Sequence, residues 1–140
     1  METLTLHYDV SGDDFTRAGE ASGKIKKTLK GLGFNVAAVR RLAIAVYEAE
    51  INMVIHADGG VIDALVTPDS VTVTVADSGP GIPNVELAMT EGYSTAPDNV
   101  RMLGFGAGMG LPNIKKYADE MKLETEVGVG TTITIKVYNK

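Results

Sequence analysis

A chain of 140 residues fits one compact domain, residues 1–140, and leaves little room for a second. With 44% hydrophobic and 22% charged residues it can bury a core; having no cysteine, it excludes disulfides, thiolate metal sites and a cysteine nucleophile, in keeping with a reducing cytoplasm. The formal net charge of -5 argues against a nucleic-acid binder, which needs a clustered basic surface, whereas a single nucleotide needs only a local cationic spot.

The opening METLTLHYDV alternates and carries charges, so it reads as a strand over residues 3–9 and not as a signal peptide, with Leu4, Leu6 and Tyr8 on one face. A helix is expected from about residue 13 to 32, with Asp13 or Asp14 as N-cap and Gly31 or Gly33 as stop. Its Lys24, Lys26, Lys27 and Lys30 form a solvated face. Asn35 is the expected N-cap of a second helix running to about residue 57, which Gly59-Gly60 breaks. The apolar stretches, such as residues 42–47, are too short to span a bilayer.

Residues 61–67 and 70–76 then read as a hairpin through Pro68-Asp69, and its second strand runs into Asp77-Ser78-Gly79-Pro80-Gly81. A short helix at 85–91 precedes a segment, 92–106, that reads as a mobile loop. The helix expected over 107–121 tolerates Pro112 in its first turn. Strands at 122–127 and 131–138, joined by Gly128-Val129-Gly130, close the chain. The order predicts an α/β protein, an α+β sandwich with one mixed sheet and helices packed on one face.

Four constellations carry chemistry. Glu48, Asn52 and His56 are spaced i, i+4, i+8, a polar stripe on a mainly apolar helix. Buried carboxylate and carboxamide groups need a partner, and a hydrated Mg²⁺ prefers such oxygen ligands. Asp77, at the end of a buried strand, is placed to accept a hydrogen bond from a ligand amine, and Gly79 and Gly81 let backbone approach a flat ring. Gly104, Gly106, Gly108 and Gly110 alternate ahead of a helix, presenting backbone N–H groups and the positive helix end to an anion. No Gly-Lys-Ser/Thr follows, so this is not a Walker loop. Thr131 or Thr132 adds a hydroxyl near a ligand at Asp77.

In order and spacing, these motifs resemble the GHKL superfamily, the Bergerat-type ATP-binding fold of gyrase, Hsp90, MutL and histidine kinases. Glu48-x-x-x-Asn52 is similar to its N box, Asp77-x-Gly79-x-Gly81 to its first glycine box, Gly106-x-Gly108-x-Gly110-Leu111 to its second, and residues 128–132 to its closing G-x-G-T-T. Within the superfamily the chain resembles the anti-sigma-factor serine/threonine kinases, and among them the stress-pathway switch kinase. The stretches 33–48 and 108–116 carry that likeness. The resemblance implies a mostly antiparallel sheet and a bound ATP with Mg²⁺. Glu48 would be the general base and Asn52 the Mg²⁺ ligand. Asp77, with Gly79 and Gly81 beside it, would bind the adenine amino group, assisted by Thr132. Gly106, Gly108 and Gly110 would wrap the phosphates, with Gly104, Met109 and Leu111 in the same site, under a lid over 92–105 whose Arg101 could meet the γ-phosphate. Glu50 points about 200° around the helix from Glu48 and is not preferred as base.

The expected function is ATP-dependent phosphorylation of a serine on a STAS-type anti-anti-sigma or stressosome-type protein, together with direct regulation of a sigma factor or phosphatase. A homodimer is left open, and neither nucleic acid nor membrane is an expected partner. The competing reading is an ATP/ADP-sensing module that sequesters a partner without catalysis, and Glu48 is the residue that discriminates. A histidine-kinase catalytic half is disfavoured, since only one strand and one helix precede the N box.

Overall fold

Asn35 opens the second helix as expected: its Oδ1 accepts the Ala38 backbone N–H at 3.1 Å, three residues on. The computed structural model describes residues 3–11, 19–56, 59–77, 110–126 and 128–140. Along the chain the elements are β1 (Leu4–Ser11), α1 (Glu20–Gly31), α2 (Val36–His56), β2 (Gly59–Val66), β3 (Ser70–Asp77), α3 (Gly110–Tyr117), β4 (Glu120–Glu126) and β5 (Gly130–Tyr138). The helix expected at 85–91 and most of the segment around it lie outside the described residues.

The five strands form one sheet in the order β1-β2-β3-β5-β4, and every pairing is antiparallel, so the expected mixing of directions does not arise among them. Strand alternation puts Ile62, Ala64 and Val66 of β2, Val71, Val73 and Val75 of β3, and Ile133, Ile135 and Val137 of β5 on one buried face. The other face carries Asp63, Leu65, Thr72, Thr74, Thr134 and Lys136. A one-faced sheet must be covered, and α2 covers it with Ala38, Leu42, Ala45 and Ala49 on one stripe and Val39, Val46 and Met53 beside it. In turn α1 lays Ala21, Ile25 and Leu29, spaced by four, onto the same core. A fully buried Leu42 or Ile135 contributes about 1.5–3 kcal/mol.

Three boundaries differ from the sequence reading. The first helix begins at Glu20, with Gly19 at its cap position, not at Asp13 or Asp14. It ends as expected at Gly33, whose φ of 80° permits the closing bond from the Phe34 N–H to the Leu29 carbonyl. Gly59 and Gly60 do not merely break α2; they open β2, paired with Ser11 and Val10. The last helix stops at Tyr117 instead of 121, because Asp119 donates its N–H to the Lys136 carbonyl and Glu120 and Met121 pair with Lys136 and Ile135. No helix among the described residues is long and apolar enough to cross a membrane.

Candidate nucleotide site

Helix α2 carries Glu48 and Asn52 one turn apart, both half-buried, between the core residues Ala45, Ala49 and Met53. Met53 fixes where that stretch of helix lies. A Cβ placed on Gly60 would sit 2.6 Å from Met53 Sδ and 3.0 Å from Asp77 Cα, and would strike the Ala76 carbonyl oxygen. Backbone of β2, the end of β3 and the C-terminal half of α2 therefore converge tightly beside Asp77. From β5, Thr131 stands opposite Asp77 in the ladder and donates its N–H to Asp77 Oδ1 at 3.2 Å. The Thr131 hydroxyl is within 2.9 Å of that of Thr125 on β4. The N box and the acidic end of β3 thus come to one end of the sheet, as the motif order implies.

Glu48 faces α3. Burial holds its carboxyl above the usual carboxylate range, and a hydrogen bond from the Asn113 side chain partly opposes that rise. Leu111 and Ile114, both buried, seat α3 against the core. Glu50 has a different role. It is 1% exposed, and its Oε2 accepts the N–H groups of Gly19 at 3.0 Å and Ala21 at 3.3 Å while Oε1 accepts that of Ser22 at 3.0 Å. Its carboxylate is the cap of α1, supplied from a neighbouring helix, where the helix dipole favours a negative charge. The preference for Glu48 over Glu50 as a base accords with that geometry.

Thr132 requires a correction. Strand alternation puts it on the sheet face opposite the helices, in register with Ala76 and Glu124, while Thr131, 8% exposed, shares the face of Asp77. Of the other expected site residues, Gly110 opens α3 and Leu111 is buried. Gly79, Gly81, Arg101, Gly104, Gly106, Gly108 and Met109 lie outside the described residues, as does the side chain of His56. Among the described residues no group of three His, Cys, Asp or Glu side chains could hold a metal by itself. A half-buried carboxamide oxygen such as that of Asn52 suits Mg²⁺, which keeps waters and phosphate oxygens in its shell and needs few protein ligands.

Sequence reasoning did not single out Asn113 or the packing role of Gly60. Asn113 sits three residues after Gly110, and only the packing of α3 on α2 reveals what it meets. Gly60 is one of a pair and reads as a breaker until the sheet register is known.

The sequence pattern of the family described as histidine kinase-, DNA gyrase B-, and HSP90-like ATPase matches residues 37–139. The chain belongs to this ATPase family. As a member of it, the chain is an ATP-binding domain, with the N box and Asp77 at the converging end of its sheet. An anti-sigma F factor of Clostridium beijerinckii is 38% identical over 98 residues, 66% of this chain and 65% of that protein, so the chain spans just under two thirds of that relative. Serine/threonine-protein kinase RsbT of Bacillus subtilis is 31% identical over 112 residues, 77% of this chain and 78% of that protein. Among solved structures, the RsbU and RsbW domains of a Mycobacterium tuberculosis protein superpose with a TM-score of 0.65 at 16% identity, over 98% of this chain and 33% of that one. The mycobacterial sensor histidine kinase MprB superposes with a TM-score of 0.53 at 16% identity, over 98% and 99% of the two chains. These two share the fold.

Proposed function

We propose that this family member is a cytoplasmic protein serine kinase. It transfers the γ-phosphoryl group of ATP to a serine of a STAS-type antagonist protein, and it also binds a sigma factor or phosphatase directly. The observation that carries the reading is Glu48: a half-buried carboxyl, one turn from Asn52, held above the usual carboxylate range by burial. A base poised in that way suits removal of a hydroxyl proton near neutral pH. The relatives named as a serine/threonine kinase and as anti-sigma factors support the substrate class.

In the proposed reaction the serine oxygen forms a bond to the γ-phosphorus as the bond to the β-phosphate oxygen breaks. ADP leaves, and Glu48 takes the serine proton. Asn52 would hold Mg²⁺, which neutralises phosphate charge when bound. Asp77 would accept the adenine amino group, and Thr131, not Thr132, would stand beside it. Gly79, Gly81, Gly104, Gly106, Gly108, Met109, Gly110 and Leu111 would complete the nucleotide site, with Arg101 toward the γ-phosphate. Residues 1–140 are taken as a single domain.

Transfer from labelled ATP to candidate STAS proteins tests the reading. Glu48→Gln should reduce transfer by roughly 100-fold or more, the scale of a general base, while ATP still binds. Wild-type protein that binds ATP and phosphorylates no such protein would instead favour a nucleotide-sensing module that sequesters its partner.

A further inference from the structure

We infer that Asn113 is a positioning residue for Glu48: its side-chain amide holds the carboxylate from α3 and aims a remaining oxygen at the incoming hydroxyl. The inference deepens the kinase reading and rests on it for its catalytic meaning.

The geometry starts with α3. This helix opens at Gly110, the last glycine of the alternating stretch, and its buried Leu111 and Ile114 fix it in the core. Asn113 lies between them in sequence, half-buried, on the side that meets α2 at Glu48. An ionised carboxylate only accepts hydrogen bonds, so in this pair the amide nitrogen of Asn113 donates. A base on a rigid helix, held by a donor on a second rigid helix, loses less orientational freedom than one held by packing alone.

The electrostatics point the same way. Two influences act on Glu48, burial and the Asn113 amide, and no charged side chain is among them. The nearby charges are turned elsewhere. Lys115 and Lys116 of α3 are exposed, and the Glu50 carboxylate is bound to the first turn of α1. Burial alone would favour the neutral carboxyl, which cannot accept a proton. A donor to the ionised form counters that tendency. Asn113 thereby keeps the base charged in a pocket that would otherwise neutralise it.

The test uses the full chain with Asn113→Leu, which removes the donor at similar size, and Asn113→Ala as a second variant should leucine disturb packing. Glu48 is followed by carboxyl ¹³C NMR, its signal assigned by its loss in Glu48→Gln, and phosphoryl transfer is measured against pH. Both Asn113 variants should move the Glu48 titration and the acid limb of the rate profile to higher pH. They should lower kcat at neutral pH by about 10-fold, a fraction of what a general base supplies, with KM for ATP within about 2-fold of wild type. A Glu48 titration unchanged in both variants overturns the role of Asn113 even if transfer is robust. If the wild type transfers no phosphate, the kinase reading fails by itself, and the NMR titration still decides whether Asn113 holds Glu48.

Discussion

Glu50 is a buried charge whose whole shell is backbone N–H. Ionised carboxylates bonded to such donors are worth more than neutral acceptors, and the partially positive first turn of α1 adds to the attraction. Glu50→Gln keeps the shape but removes the charge and turns an amide NH₂ toward donors. It should cost about 2 kcal/mol in urea unfolding, with faster hydrogen exchange at Gly19, Ala21 and Ser22. Asp119 gives the opposite kind of test, read through pH. The Tyr138 backbone N–H, donated at 2.7 Å, holds its carboxyl below the ordinary 3.8; burial opposes that and Arg41, at 2.9 Å, reinforces it. A depressed folded value means that the unfolded chain binds the proton first as pH falls. The stabilisation is therefore complete above the ordinary carboxylate range and is lost as pH drops through the lower folded value. Asp119→Asn should be less stable than wild type at pH 7, and the gap between their urea midpoints should narrow below about pH 3.

At the scale of elements, Gly60 decides how closely β2, β3 and α2 meet. Gly60→Ala puts a methyl group against the Ala76 carbonyl and Met53 Sδ, and the backbone side of that clash cannot rotate away. Overpacking of this kind costs about 1–3 kcal/mol, and the shift falls on Asp77. The variant should therefore lose ATP affinity as well as stability, measured by calorimetric titration and thermal melting. The periodic elements were legible in the sequence because each buries a regular stripe. Val71, Val73 and Val75 announce a strand, and the stripe through Leu42, Ala45 and Ala49 announces a helix. What escaped were pairings between elements distant in sequence. The capping of α1 by Glu50 cannot be seen from α1, and neither can the loss of residues 118–121 to β4, which Lys136 and Tyr138 enforce. Thr131 and Thr132 are chemically equal neighbours, and only register against Asp77 separates them.

On the scale of the whole molecule, the sheet has a functional end and a fastened end. Asp77 and Thr131 mark the first; Ser70 and Tyr138, seven pairs along the same ladder, mark the second, about 23 Å away. At the fastened end Asn139 joins three elements. Its Oδ1 accepts the Asn35 N–H at the start of α2 at 2.8 Å, its Nδ2 donates to the Pro68 carbonyl at 3.1 Å, and its own N–H meets the Asp69 carbonyl at 2.8 Å. The two side-chain bonds tie the β2–β3 turn to the beginning of the helix whose later turns carry Glu48 and Asn52. Asn139→Ala leaves the backbone bond and removes both side-chain bonds, each worth about 1 kcal/mol and less where water can replace the partner. Because α2 is a continuous helix anchored by Leu42, Val46 and Met53 over its length, loosening its first turn should not displace its third or fourth. Asn139→Ala is therefore expected to lower unfolding stability by about 1–2 kcal/mol and to leave the ATP dissociation constant within about 2-fold of wild type. A parallel fall in affinity would mean that strain at the fastened end travels along α2 to the N box, and that the two ends of the sheet are energetically coupled.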